Sequence, residues 1–345
     1  MSTQNSIPMP LQHIASRPRR ELPEDTQVPT RGLPIRQPPK WHAPLEWLVR
    51  AMAMIAVLAI VLIFGFLVKS ALPMWTSAEV RKEVTQAQMW FATLWPGYDT
   101  PQNVWQPVSE IPKFGLWPLV TGTLKSTIVS MAIAGPLGVA AAVFVAFYAR
   151  GRTQEILKPT LELLAGIPSV VLGFFALISL ATWLQDTFGF DSRLNAIVSG
   201  VALSLAIVPV VFTISEEAIR AVPATYVEAS TALGAAKWQT ILKVVLPTAA
   251  PGIASAIALG FGRAVGETMI VLMASGNAAI TSWNPADSVR TLSATVASEL
   301  GEVVFGSAHY AVLFYLGLLL FVFTSVLNLL GGRVIDAQKA KVKSR

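Results

Sequence analysis

The chain has 345 residues, of which 53% are hydrophobic and only 13% charged, with 26 Lys and Arg against 20 Asp and Glu. A soluble domain averages about 25% charged residues, so this composition excludes a water-soluble protein and indicates one that crosses a membrane several times. Cysteine is absent and His13, His42 and His309 lie far apart, so no disulfide and no metal site is expected. The basic residues flank apolar runs, where they set membrane orientation, and no nucleic-acid partner is expected.

Residues 1–45 are rich in Pro, Arg and Gln and too poor in apolar side chains to fold, which predicts a disordered tail. Residues 51–72 form the first run long enough to span a bilayer, for which about 20 helical residues suffice. This run starts too late and is too long for a cleaved signal peptide, so it is read as a retained helix. Five further runs qualify: 123–149, 161–184, 195–214, 251–275 and 310–330. The expected fold class is all-α, a polytopic membrane protein with six transmembrane helices over 46–335 and a basic tail at 336–345. Lys and Arg concentrate in 1–50, 150–160, 215–247 and 331–345 and are sparse in 73–117, 185–194 and 275–309. That bias places both termini in the cytoplasm.

The outer segment 73–117 carries Trp75, Trp90, Trp95, Trp105 and Trp117, whose amphipathic rings favour the headgroup region, so it is expected to lie along the outer surface. In the second run Gly135 and Pro136, and in the third Gly166 and Pro168, weaken backbone bonding at membrane depth and mark expected helix breaks. Such breaks suit helices that move, and equally suit static kinks. Beyond the fifth run, Val289, Leu292, Val296, Leu300 and Val303 share one helical face and predict a short surface helix.

The cytoplasmic loop 216–247 is the most informative segment. Pro223 suits a helix start and Gly234 a left-handed stop, with Tyr226, Val227, Ala229, Ser230 and Leu233 at helical spacing between them. A second short helix from Lys237 to Val245 is expected to stop at Pro247. Acidic and basic residues cancel in this loop, which argues against a DNA-binding helix-turn-helix. Two readings remain: an amphipathic loop resting on its own membrane domain, or one whose apolar face docks into a partner.

The string Glu228-Ala229-Ser230, three residues, Gly234, nine residues, then Val244-Val245-Leu246-Pro247 resembles the EAA motif of ATP-binding-cassette importer permeases. Ser230 stands where the motif has its second alanine and Val244 where it has isoleucine. The resemblance implies a type I importer permease in a bacterial inner membrane, with this loop seated in a cleft of a nucleotide-binding subunit. The chain has no phosphate-binding G-x-x-x-x-G-K-[ST] loop, so ATP and magnesium are expected on a separate ATPase and no cofactor on this chain.

The stretch "GRAVGETMIVLMASGNA" in the fifth run resembles the GRA-x-GET signature of Pst-type phosphate permeases. "PLVTGTLKST", "LELLAGIPSVVLGFFAL" and "VRTLSATVASELGEV" are similar to the PstC-like subunit of that family. This implies a PstA-like second permease, a homodimeric PstB-like ATPase, a PstS-like extracytoplasmic binding protein and inorganic phosphate as cargo. From the residues alone, Arg263 and Glu267 stand four apart near the middle of a span, on one helix face, within reach of each other. Such charges inside a membrane point to a substrate path or to a tie between helices. In the first case the Arg263 guanidinium offers forked donors to a passing oxyanion, Glu267 neutralises it when the path is empty, and Thr268 adds a hydroxyl. The rivals are a permease for sulfate or molybdate, an ion-coupled secondary transporter, and a membrane scaffold; no inverted hydropathy repeat supports the second.

Overall fold

Lipid offers a backbone no hydrogen-bond partners, so apolar runs of this length must become helices. The computed structural model, which describes residues 42–343, is built almost entirely of them. In chain order they are α1 (His42–Ala71), three short outer helices α2 (Pro73–Thr76), α3 (Ala78–Glu83) and α4 (Gln86–Trp90), then a two-stranded antiparallel pair, β1 (Trp105–Gln106) with β2 (Lys113–Phe114). There follow α5 (Trp117–Val143), α6 (Arg152–Ala165), α7 (Ser169–Phe175), α8 (Ala181–Phe188), α9 (Ala196–Arg220), α10 (Ala224–Ala232) and α11 (Lys237–Thr240). The chain closes with α12 (Leu246–Gly266), α13 (Met269–Ala274), α14 (Leu292–Glu299) and α15 (Ala308–Lys343).

Six stretches are long and apolar enough to cross a membrane: Pro44–Thr76, Trp117–Tyr148, Ser169–Phe188, Ala196–Arg220, Lys237–Gly266 and Ala308–Arg333. Of the tail expected over 1–45, residues 1–41 lie outside the described residues, and α1 begins at His42. At the other end α15 runs on to Lys343, into the segment expected as a basic tail. Residues 42–59 form a unit of their own, a helical stretch with Glu46 and Arg50 paired at 2.6 Å one turn apart.

Within residues 60–343, α9 is the central helix, and small residues let its neighbours close on it. A Cβ on Gly138 of α5 would lie 2.8 Å from the Val211 side chain, so only glycine permits this approach of α5 to α9. Gly260 of α12 faces Val211 and Ile207 in the same way. The outer end of α15 packs on the end of α1 through Phe66 and Phe314, whose rings meet edge to face at 5.5 Å.

Three sequence-based expectations change. Gly135 and Pro136 break nothing: α5 continues through both, because a proline removes one intrahelical bond and packing against α9 holds the remainder. The third span starts later than expected, after the break that Gly166 and Pro168 led one to expect. α6 ends at Ala165, the backbone turns through Gly166, Ile167 and Pro168, and the spanning stretch starts at Ser169. The fifth begins earlier and ends earlier than expected, since Pro247 does not stop a helix there. Ile241–Val245 forms a π turn in which the Leu246 N–H reaches back five residues to the Ile241 carbonyl. This wider turn accommodates the proline that follows, and the helix runs through Pro247 and Pro251 to Gly266.

The outer segment is also more than a surface anchor. Trp95 and Trp105 are buried, Val80, Met89 and Phe114 join a core with Val312 and Leu316 of α15, and the Trp90 indole donates to the Tyr315 hydroxyl at 3.4 Å. The residues expected as one surface helix from Val289 to Val303 form only α14; Val289 pairs instead with Gly276 in an isolated bridge.

Candidate functional site

The first candidate region is the interruption between α12 and α13. Arg263 occupies the last turn of α12 rather than the middle of a span, and Glu267 lies just past the helix with φ −67° and ψ 134°. Its φ is still helical, so Glu267 stays near the face on which Arg263 stands, and only the chain after it leaves the helix. Among the described residues neither forms an ion pair. The expected Arg263–Glu267 pair is therefore absent within the chain.

The break is held by hydroxyls. Ser293 Oγ donates to the Glu267 carbonyl at 2.7 Å, and Thr268 Oγ1 turns back to the Gly266 carbonyl at 3.3 Å. A cavity of about 640 Å³ opens beside it, with Gly266, Thr268, Ser293, Phe321 and Thr324 in its wall. Further polar contacts link α5 to α14, to α9 and to the segment before α14. Leu292 N–H donates to Thr123 Oγ1 at 3.1 Å, Ser126 and Ser199 hydroxyls lie 3.0 Å apart, and the buried Lys125 ammonium donates to the Asn284 carbonyl at 3.1 Å. Sequence reasoning passed over Lys125; the signal was a lone ammonium inside an apolar run.

Near the 73–117 segment Glu299 gathers three partners from distant segments. Its carboxylate meets Arg290 at 2.6 Å and His309 at 2.8 Å, and accepts the Trp105 indole N–H at 3.0 Å. This cluster joins the outer segment to α14 and the start of α15, and no spacing in the sequence announces it.

The second candidate region is the loop 216–247. Pro223 caps α10, and Gly234 follows its last turn at φ +80°. Gly234 N–H bonds the Thr231 carbonyl and Ala235 N–H the Ser230 carbonyl, the paired bonds that close a helix through a left-handed residue. No α10 residue is buried, and Glu228 and Ala229 stand exposed. Ser230 is fixed instead, with its hydroxyl 2.9 Å from that of Thr240. Leu246 and Pro247 open α12. Exposed Tyr226, Leu233 and Trp238 give the loop an apolar outer surface; Leu233 is 90% accessible.

Two ties join this projecting loop to the spans. Glu216, at the inner end of α9, is 1% exposed and pairs with Lys158 of α6 at 3.3 Å and with Arg220. Lys237 donates to the Phe147 carbonyl and lies 4.7 Å from the Tyr148 ring, so α11 is fastened to the end of the second span. The loop has an exposed contact surface and a fastened base, an arrangement fit to pass a push from outside to the spanning helices.

Residues 134–343 match the family described as "Binding-protein-dependent transport system inner membrane component". The chain belongs to this family. The permease is 36% identical over 226 residues to the probable ABC transporter permease protein YqgH of Bacillus subtilis, covering 66% of this chain and 73% of that protein. It is 34% identical over 239 residues to the phosphate transport system permease protein PstC 1 of Mycobacterium tuberculosis, covering 62% and 70%. To PstA 1 of the same species it is 38% identical over 193 residues, covering 56% and 60%. Among solved structures, the permease is similar in fold to a chain of a bacterial ABC transporter involved in alginate import. That likeness has a TM-score of 0.57 and 13% identity, and covers 86% of this chain and 98% of that one. The permease is thus a multi-pass inner-membrane transport component with the all-α fold of ABC importer permeases.

Proposed function

We propose that this permease is one half of the membrane pathway of an ATP-driven importer of inorganic phosphate, PstC-like in role. The observation that carries the reading is the exposed helix-turn-helix loop with Glu228 and Gly234, whose base is fastened to the end of the second span and, through Glu216 of the fourth span, to α6, in a chain whose relatives include permeases named for phosphate transport. A PstA-like second permease completes the pathway, a homodimeric ATPase holding ATP and magnesium seats the loop, and an extracytoplasmic phosphate-binding protein delivers the cargo. Both termini face the cytoplasm, as the Lys and Arg bias requires.

Closure of the ATPase pair pushes on α10, and the Glu216 and Lys237 ties pass that push to α6, α9 and the end of the second span. Arg263, Glu267 and Thr268 line the path at the α12–α13 break. Arginine suits a tetrahedral oxyanion because its guanidinium presents forked donors and stays charged at all relevant pH.

The test is labelled-phosphate uptake by the assembled complex in vesicles, with sulfate and molybdate as competitors. Wild type is expected to take up phosphate only with ATP, and Glu228→Ala and Arg263→Ala are each expected to abolish uptake while the complex stays assembled. Uptake that persists without ATP, or that sulfate or molybdate outcompetes, refutes the reading.

A further inference from the structure

Within a helix, Ser and Thr hydroxyls satisfy themselves on a carbonyl about one turn back. Thr295 and Ser298 of α14 do so, on the Thr291 and Thr295 carbonyls. Ser293 is only the second residue of α14, with no helical turn behind it, and its buried hydroxyl reaches instead to the Glu267 carbonyl at 2.7 Å. That carbonyl needs a donor from elsewhere, because ψ 134° at Glu267 turns it out of the α12 ladder. One side chain of α14 thus takes up the backbone group that the α12–α13 break sets free.

A hydrogen bond positions its acceptor only if the donor is itself held. The start of α14 is held in three ways. Thr291 Oγ1 caps it, accepting the Ala294 N–H at 3.2 Å, and lies 3.3 Å from the Ser293 hydroxyl. The Leu292 N–H donates to Thr123 of α5 at 3.1 Å. A Cβ on Gly122 would run into the Arg290 carbonyl, so the chain entering α14 rests directly on the α5 backbone. At its far end Glu299 is held by Arg290, His309 and Trp105. The helix is therefore fixed at both ends, and it walls the 640 Å³ cavity with Ser293, Val296 and Leu300 where the break contributes Gly266 and Thr268.

We infer that Ser293 is a positioning residue of the transport path. Its hydroxyl ties the backbone at Glu267 to the fixed start of α14, and so sets where Glu267 and Thr268 stand beside the cavity. This rests on the proposed path through those residues and adds the group that holds it. Threonine and valine have nearly the same shape and differ in the hydroxyl, and the cavity beside Ser293 takes the added methyl group. In the assembled complex in vesicles, Ser293→Thr is expected to take up labelled phosphate at close to the wild-type rate, and Ser293→Val at least about fivefold more slowly. Equal uptake by the two variants overturns the inference. If the valine variant does not assemble, Ser293→Ala against Ser293→Thr makes the same comparison.

A second arm needs no cargo. The chain has no cysteine, so Thr268→Cys gives it a single thiol. The rate at which a small water-soluble methanethiosulfonate modifies that thiol in the complex, read on this chain after the subunits are separated, reports where residue 268 stands. With Thr268→Cys in both, Ser293→Val is expected to change the rate at least about threefold relative to Ser293→Thr. The same rate in both backgrounds overturns the inference whatever the uptake. A wild-type complex that takes up no phosphate, with rates that differ between the two backgrounds, refutes the proposed cargo and supports the positioning role.

Discussion

The Glu216 cluster makes a quantitative prediction, because its three charges are unequally exposed. The carboxylate is 1% accessible, whereas the Lys158 and Arg220 side chains are 41% and 43% accessible. Either base alone can be replaced with modest loss, about 1 kcal/mol, since the other still neutralises Glu216 and exposed pairs are screened. Replacing both, as Lys158→Met with Arg220→Met, strands a buried carboxylate and is expected to cost about 3–5 kcal/mol, well above the sum of the singles. Adding Glu216→Gln to that double variant removes the stranded charge. The buried amide still lacks its former partners, for about 1–3 kcal/mol, so the triple variant is expected to be more stable than the double by about 2 kcal/mol. Unfolding of the purified permease in detergent, followed by tryptophan fluorescence against denaturant, measures all four variants. A triple variant no more stable than the double refutes the account, because the cost would then come from lost packing and not from an unpaired charge.

Gly234→Ala meets no steric obstacle but places a Cβ residue at φ +80°, which is expected to cost about 1 kcal/mol and to fray the end of α10. Hydrogen exchange of the α10 amides checks this, with faster exchange confined to the last turn as the expected result. Glu299→Gln weakens the bonds to Arg290 and His309 that join the outer segment to α14 and α15. Limited proteolysis from the outer side is expected to cut residues 73–116 faster in this variant while the spans stay intact.

The sequence shows the elements of this fold more reliably than their limits. Apolar runs located all six spans, because length and hydrophobicity suffice to say that a segment crosses a membrane. They could not say where each helix begins. Pro247 looked like a stop and Pro251 like the start of the span, yet a π turn just upstream absorbs the first, and the spanning helix starts ten residues before it at Lys237. Gly234 was legible because a left-handed residue after an amphipathic stretch has one common structural use. The Arg263–Glu267 setting misled, because Arg263 closes a helix that breaks after Glu267, and no residue at 267 or 268 is a helix breaker by type. Glu299 with Arg290, His309 and Trp105 had no local signature at all. These residues meet only because the outer segment folds down onto α15, a tertiary event that one-dimensional spacing does not encode.

The two interruptions, one foreseen at Gly166–Pro168 and one not foreseen at Glu267–Thr268, each precede a short helix, and those two helices pack together. α7 begins just after the first and α13 just after the second, and the two short helices lie against each other at Gly173. A Cβ there would fall 3.0 Å from both the Met269 carbonyl and the Met273 sulfur. A break in a spanning helix leaves backbone groups that only protein or a cavity can satisfy. At the second break the hydroxyls of Thr268 and Ser293 take up part of that need. The α7–α13 pair is joined to α6 and α12 through non-helical residues that can absorb changes in φ and ψ, so it can shift relative to them without unwinding either helix. α6 carries Lys158 of the Glu216 tie, and α12 continues from α11 and its Lys237 tie. On the proposed coupling, both ties stand at the base of these hinged elements.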